Sequence, residues 1–206
     1  MRNLAKSVEP PILEANNAQW TAEFLADQDN ATAKYRYRCK EIKEALKQET
    51  GWKCIYCESK IGHNTPGDVE HKIPTSIVPQ RHFEWQNLSV ACGECNRRKN
   101  NYYDAIKPFL DPYQHDVDTR VKHHGPVVGW TTGDNESELT IRILDLHNAT
   151  RDQLLKRKIE KIEEINNLCS RILNEAGTEL AEILKADLQR RMDRSEEYSG
   201  MVKSLF

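Results

Sequence analysis

Two Cys-x2-Cys pairs constrain this chain more than any other feature of its sequence. Cys54 and Cys57 form the first pair, and Cys92 and Cys95 form the second after 34 intervening residues. Each pair turns two thiolates toward one point, and two pairs complete the tetrahedral sulfur shell that Zn²⁺ prefers. Sulfur then fills all four positions, so we expect a structural zinc that holds the ends of the intervening segment together. The matched spacing disfavours the alternative of four unrelated buried cysteines.

The size and composition predict a soluble protein with one well-packed domain, or a small catalytic unit with helical additions. The chain has 206 residues, of which 38% are hydrophobic and 30% are charged. No run of 18 apolar residues exists, and the N-terminus lacks the apolar core of a secretory signal, so we predict no membrane span and a cytoplasmic location. Cysteines of a cytoplasmic protein are expected to bind metal rather than to form disulfides. Cys39 and Cys169 fall in helical patterns and are predicted to be ordinary buried thiols.

The net charge of −2 argues against a uniformly basic surface for nucleic acid but leaves a local one open. Residues 31–53 contain seven Lys and Arg residues against three Glu residues. A solvated helix face explains this stretch as well as a nucleic-acid surface does.

Hydrophobic periodicity predicts a mostly helical chain on either side of the cysteine pairs. We expect an extended arm over residues 1–15 and helices near residues 17–26, 31–49, 151–175 and 178–194. Gly51 is typical of a C-cap, and Thr150 with Gln153 predicts a capping box. The segments 127–131 and 139–144 are joined by a turn-rich link, which predicts a β-hairpin.

These elements divide the chain into three segments. Residues 1–50 are predicted to form the N-terminal arm and helices, residues 51–105 the core that the cysteines hold, and residues 106–206 a β-hairpin with a helical region. The apolar stripes of the last two helices predict packing against this core or against a partner protein.

The segment between the cysteine pairs contains a candidate phosphodiesterase site. Glu70 precedes His71, Asn87 follows later, and Asn96 comes directly after the last cysteine. A carboxylate can hold a divalent ion against a phosphate oxygen, and the ion stabilises charge on the leaving 3′-oxygen. Histidine suits the removal of a proton from water because its unperturbed pKa lies near neutrality. A simple surface turn is the alternative for Glu70 and His71.

Residues 52–101 resemble the HNH endonucleases, in the variant whose ββα element is held by two Cys-x2-Cys pairs. The resemblance rests on acidic-His-x-x-Pro ending at Pro74, on Asn87-Leu88, and on Cys-x2-Cys-Asn-x2-Lys ending at Lys99, in the family's order. It implies an α+β fold. The expected architecture is a ββα-metal HNH core stabilised by a four-cysteine zinc site, with N-terminal helices, a C-terminal β-hairpin and two long C-terminal helices.

The same resemblance implies a role for each motif residue. His71 matches the general base, and Glu70 and Asn96 match the ligands of the catalytic metal. Asn87 matches the residue that orients the loop of the base by hydrogen bonding. An oxygen-only pair of Glu and Asn favours Mg²⁺ or Mn²⁺ over zinc at this second site.

Nucleic-acid contacts are expected from the helix that follows the last cysteine pair, through Arg97, Arg98 and Lys99. Asp68 is predicted to be an exposed turn carboxylate rather than an auxiliary metal ligand. Five other histidines are interpreted as surface or loop residues, with one of them, His82, closest to the site. They are His63, His82, His115, His123 and His124.

Short features outside the motif resemble the HNH subunits of Septu-type and retron-associated anti-phage systems, the PtuB-like group. They include Glu9-Pro10-Pro11, Asp111-Pro112 and the stretch 144–148. This resemblance implies an ABC/SMC-like ATPase partner that restrains the nuclease, and in some systems a retron reverse transcriptase with its RNA–DNA. The substrate, DNA or RNA, stays open.

Two other interpretations remain. The chain could be a non-catalytic zinc-ribbon module that binds nucleic acid or acts as an adaptor. A self-contained homing or restriction-type enzyme is disfavoured, because no separate recognition domain with a strongly basic helix is evident.

Overall fold

A computed structural model describes residues 1–62 and 65–206 of the chain, so the interpretation of His63 lies outside the described residues. Helices dominate and the strands are short, which confirms the α+β class. The described α-helices are α1 (Pro11–Ala26), α2 (Ala31–Lys34), α3 (Lys40–Glu49), α4 (Gly93–Lys99), α5 (Val117–Arg120), α6 (Asn135–Ile143), α7 (Asp152–Asn174), α8 (Glu179–Arg191) and α9 (Ser199–Lys203). The strands are β1 (Asp68–His71), β2 (Leu88–Ala91), β3 (Val121–His124) and β4 (Val127–Trp130), and short 3-10 helices span Arg36–Arg38, Pro79–Arg81 and Trp85–Asn87.

The predicted ββα element is present between the cysteine pairs. Strands β1 and β2 pair antiparallel, with Asp68 opposite Ala91. Helix α4 follows directly, and the Cys92 sulfur accepts a hydrogen bond from the backbone N–H of Cys95, which caps the helix at its start. The helix ends where Asn100 takes a positive φ of 48°.

The first helix of the N-terminal region begins earlier in the chain than the sequence predicts, and the second predicted helix is interrupted. Helix α1 begins at Pro11 and shortens the expected arm, because proline at the first helical position loses no hydrogen bond. The single helix expected over residues 31–49 is wrong, since Cys39 is extended (φ −60°, ψ 158°) and separates α2 and a 3-10 turn from α3. The break lets Tyr37 bury its ring to 6% exposure.

The predicted hairpin is wrong in its second strand. Strand β4 pairs with β3 instead, and residues 139–144 belong to α6 and the residue after it. The alternation of apolar residues there was misleading. The residues buried on this segment are spaced three and four apart, as on a helix, and they are Ser137, Thr140, Ile141 and Leu144.

The two long C-terminal helices are confirmed as α7 and α8, which pack against each other. The capping box at α7 is wrong. The Thr150 hydroxyl bonds to Asp145, and Arg151 occupies the N-cap without a side-chain hydrogen bond. Thr178 does cap α8, through the backbone N–H of Ala181. Among the described residues, no helix combines the length and apolarity that crossing a membrane requires.

The ββα element lies between two apolar cores. On one side, β1 and β2 pack with α1 and α3 around Leu13, Ile42 and Leu88. On the other side, the cysteines pack with the C-terminal segment around Val117 and Ile141. Burial on both sides fixes the orientation of the element.

Asp134 offers a test of the revised assignment of α6. Its carboxylate caps the helix through the backbone N–H of Ser137 and forms ion pairs with Arg120. We expect Asp134→Ala to lower the free energy of unfolding by about 1–2 kcal/mol, because the cap and the ion pair are both lost. Asp134→Asn keeps a capping side chain and should cost less. Urea denaturation of the metal-loaded protein measures both changes, and equal stability of all three proteins would contradict the assignment.

Candidate metal centre and active site

The four cysteine sulfurs converge as their spacing predicts. They all lie within 4.8 Å of one another, and the Sγ atoms of Cys57 and Cys92 are 3.8 Å apart. A tetrahedron with Zn–S bonds of about 2.3 Å has edges of roughly 3.8 Å. The cluster could therefore hold a metal ion such as zinc.

Positive charge lies beside this cluster. Nη1 of Arg151 is 3.3 Å from the Cys95 sulfur and also donates to the Leu144 carbonyl oxygen. Burial alone would lower the pKa of Arg151, but the neighbouring cysteines outweigh it and raise that pKa. Four thiolates around one divalent ion would carry a net charge of −2, and the half-buried guanidinium of Arg151 would offset part of it.

The cluster also connects the first cysteine pair to the sheet. The backbone N–H of Ile55 donates to the carbonyl oxygen of Val90 in β2 at 3.2 Å. The backbone N–H of Cys54 donates to Ser59 at 3.0 Å, which closes the first turn. Both ends of the intervening segment are thus fixed next to the strands that it supplies.

His71 ends β1, where it is half-buried and lines an open cleft of about 600 Å³. Its Nε2 lies 2.9 Å from the carbonyl oxygen of His82. A carbonyl oxygen only accepts, so Nε2 carries the proton and Nδ1 keeps a lone pair. Nδ1 takes part in no hydrogen bond with the described part of the chain. Burial, together with the nearby His82 ring, lowers the pKa of His71 to about 3, which keeps the ring neutral near pH 7.

His82 lies directly against this ring, and its importance is greater than its sequence position suggested. The two imidazoles stack with centroids 4.7 Å apart and planes 5° from parallel. Nε2 of His82 donates to the Lys34 carbonyl oxygen at 2.7 Å, so its Nδ1 accepts from the Thr75 hydroxyl at 2.8 Å. Phe24 covers the ring of His82 at 4.2 Å. The contacts come from distant parts of the chain, so no local sequence pattern could reveal them.

Asn87 holds the loop that carries His82. Its Oδ1 accepts from the backbone N–H of Ile73 at 2.7 Å, and its Nδ2 donates to the carbonyl oxygens of Ile73 and Arg81, both at 3.0 Å. Asn87 is 1% exposed and does not line the cleft that contains His71. These hydrogen bonds fix the loop between Ile73 and Arg81.

Glu70 and Lys99 form a buried ion pair. Oε1 of Glu70 lies 2.5 Å from Lys99 Nζ and 3.3 Å from the Tyr56 hydroxyl. Burial raises the pKa of Glu70, and the Lys99 charge opposes that rise. Lys99 also donates to the His71 carbonyl oxygen at 2.9 Å, so it ties α4 to β1. At 2% exposure it is not available to phosphate, contrary to the expectation from sequence.

Asn96 contacts Asp68 rather than Glu70. Its Nδ2 donates to Oδ2 of Asp68 at 3.3 Å, and Asp68 lies at the start of β1, not in a turn. All three side chains line the cleft beside His71. The sequence argument assigned Asp68 no role, because only the β1–α4 packing brings it to Asn96.

The oxygen atoms of this group fit a hard divalent ion. The donors are the second oxygen of Glu70, Oδ1 of Asn96 and the Asp68 carboxylate. Within the described ranges, the cysteines alone bring three or more Cys, His, Asp or Glu ligand atoms to one point. An ion in the cleft would have few protein ligands and would keep several waters, which is typical of Mg²⁺.

The arginines of α4 are engaged with acidic neighbours. Arg97 pairs with Glu94 at 2.8 Å, and Arg98 pairs with Glu94 at 2.6 Å and with Asp145 at 3.1 Å. These ion pairs weaken the expectation that both arginines contact phosphate.

Comparison with known proteins agrees with this geometry. Residues 54–102 match the HNH endonuclease family. The whole chain is similar to a Septu protein PtuB of Bacillus thuringiensis, at 26% identity, and the alignment covers 100% of this chain and 81% of that protein. A Septu protein PtuB of Bacillus mycoides (strain KBAB4) is 23% identical, with 77% of this chain and 64% of that protein covered.

The cysteine cluster can be tested against a matched cysteine elsewhere in the chain. We expect Cys92→Ser to lose the bound metal and most of the soluble folded protein, because one of the four metal ligands is missing. Cys39→Ser changes a half-buried cysteine outside the cluster and should keep the metal. Elemental analysis of the purified proteins gives the metal content. A Cys92→Ser protein with full metal content would contradict the assignment.

Proposed function

We propose that this chain, an HNH protein similar along its whole length to Septu protein PtuB, is a metal-dependent endonuclease that hydrolyses phosphodiester bonds of nucleic acid. One observation carries the proposal. His71 has its Nε2 proton held by a backbone carbonyl and its Nδ1 lone pair free, in a cleft that also contains Asp68, Glu70 and Asn96. A binding module would need neither feature.

In this proposal, Nδ1 of His71 takes a proton from the water that attacks phosphorus. The His82 carbonyl oxygen holds the ring orientation, and it would stabilise the protonated ring once formed. The low pKa of His71 belongs to the cleft without substrate. A phosphate anion nearby would raise that pKa and make the ring a stronger base.

Asp68, Glu70 and Asn96 would hold a catalytic Mg²⁺ or Mn²⁺. When bound, the ion would supply charge stabilisation on the phosphate and the leaving oxygen. Lys99 would keep Glu70 in place by neutralising part of its charge, since the two side chains share a buried pair. Zn²⁺ is the ion proposed for the four cysteines, where it would support the fold and leave no open position for water.

We further propose that the chain is the effector nuclease of an anti-phage defence system, which rests on its similarity to Septu proteins. An ATPase subunit would control it, and a retron reverse transcriptase with its RNA–DNA would be a further partner in some systems. Exposed apolar residues near the turn between α7 and α8, Leu173 and Ile183, offer one docking surface for such a subunit.

A non-catalytic zinc-ribbon adaptor is the second candidate. The closed Glu70–Lys99 ion pair favours it, because a structural carboxylate explains that pair without any catalytic ion.

The variant His71→Ala separates the two functions. We expect it to lose at least about 99% of Mg²⁺- or Mn²⁺-dependent cleavage of plasmid DNA or of RNA, because general-base catalysis contributes 10²–10⁴-fold. His124→Ala removes an exposed histidine of β3 and serves as the control. Metal content and thermal unfolding should match the parent protein in both. Equal cleavage by parent and His71→Ala proteins would overturn the proposal, and no cleavage by the parent with its partner ATPase would favour the adaptor.

The ligands of the catalytic ion can be tested by Mn²⁺ binding. We expect Asp68→Asn and Asn96→Ala each to weaken Mn²⁺ binding by about tenfold or more, with the cysteine-bound metal retained. Glu163→Gln changes an exposed carboxylate of α7, which does not line the cleft, and should bind Mn²⁺ normally. Titration followed by electron paramagnetic resonance measures the free ion. Unchanged affinity in the first two variants would exclude them as ligands.

A further inference from the structure

The cleft in front of His71 has a second wall that no HNH motif residue supplies. Lys34 at the end of α2, Arg38 in the 3-10 turn and Lys43 in α3 line it, in the same cleft as Asp68 and Asn96. We call these three residues the cationic wall. They belong to the basic stretch whose role the sequence left undecided.

The cationic wall is not neutralised by acidic neighbours. In the described part of the chain, none of its three members forms an ion pair, whereas nearby Arg36 pairs with Glu23 and Lys47 pairs with Glu44. Arg38 is exposed, and the two lysines are half-buried. Three unpaired cations on one side of a cleft create a positive potential that attracts a polyanion.

Arg38 is held ready for a bidentate contact. Its Nε donates to the Tyr37 hydroxyl at 3.2 Å, and its guanidinium lies over the Tyr35 ring at 4.2 Å. Nη1 and Nη2 make no hydrogen bond to the described residues, so the fork that matches two phosphate oxygens is free. Two contacts that fix the side chain reduce the entropy lost on binding.

The wall is fixed relative to the general base. The Lys34 carbonyl oxygen accepts from His82, which stacks on His71. The Tyr37 ring packs edge-on against His71 at 4.7 Å. A phosphate held on the wall therefore has a defined position with respect to the base, with no loop closure required.

We propose that the cationic wall binds the backbone phosphates that flank the bond to be cut, with Arg38 as the clamp on one of them. The strand would run through the cleft between the N-terminal helices and the ββα element. This inference rests on the proposed nuclease function and deepens it, because it assigns substrate binding to α2–α3 rather than to the ion-paired arginines of α4.

Nucleic-acid binding by cleavage-deficient full-length protein tests the wall separately from catalysis. In a His71→Ala background, the triple variant Lys34→Ala, Arg38→Ala and Lys43→Ala is compared with Lys40→Ala, which removes an exposed cation at the start of α3 outside the cleft. Fluorescence anisotropy is measured with a labelled DNA duplex, single-stranded DNA and RNA of equal length, between 50 and 200 mM salt. Circular dichroism and metal content verify the fold of each protein.

We expect the triple variant to bind at least about tenfold more weakly. The slope of log affinity against log salt should fall by about 2.7 for duplex DNA, which corresponds to three lost phosphate contacts. Lys40→Ala should keep the parent slope. The labelled nucleic acid whose binding affinity falls most in the triple variant identifies the preferred substrate.

An unchanged slope in the folded triple variant, an equal loss in Lys40→Ala, or no binding by the His71→Ala background would overturn the inference. The parent protein could fail to cleave nucleic acid while the triple variant still binds it more weakly. That result would support the cationic wall as the binding surface and refute only the proposed nuclease function.

Discussion

Four sulfur atoms within 4.8 Å of one another are the constraint on which the candidate site depends. As thiolates they would repel one another, and a cation between them, together with the Arg151 guanidinium beside them, would offset that repulsion. The constraint extends into the site because Cys92 caps α4, and Asn96 follows Cys95 on that helix. A metal bound here would close the intervening segment and so fix β1, β2 and α4 together. The site is therefore as stable as the cysteine cluster.

Backbone carbonyl oxygens position the His71 ring. The His82 carbonyl oxygen accepts from Nε2 of His71, and the Lys34 carbonyl oxygen accepts from Nε2 of His82. Asn87 fixes the loop that carries His82. Carbonyl groups do not titrate, so this orientation is independent of pH. The stacked rings also connect the N-terminal helices to the ββα element, because Lys34 and Phe24 come from α2 and α1. One hydrogen-bonded chain thus links the fold of the first segment to the geometry of the cleft.

Charge is distributed in a way that the net value of −2 conceals. A sequence motif singles out three cations of α4 as candidates for phosphate contact. They form ion pairs within the protein instead, namely Arg97 with Glu94, Arg98 with Asp145 and Lys99 with Glu70. Lys34, Arg38 and Lys43, which form no ion pair in the described part of the chain, line the cleft although they lie outside the motif. Position in a motif therefore indicates which residues meet in space, and the local neutralising partners decide which of them can contact a substrate.

The cysteine cluster, the ββα element and the helices α7 and α8 can be predicted from the sequence, because residue spacing and apolar periodicity are local patterns. His71 lies on β1 and Asn96 on α4, whereas Asn87 lies in the 3-10 helix that precedes β2, and the roles of all three stay predictions. Other features become evident only in the tertiary structure. Residues 139–144 are helical and Cys39 interrupts a helix, and Asp68 contacts Asn96 while Lys99 is buried. Each of these depends on contacts between residues distant in the chain, where packing and ion pairing outweigh the local preferences that a sequence displays.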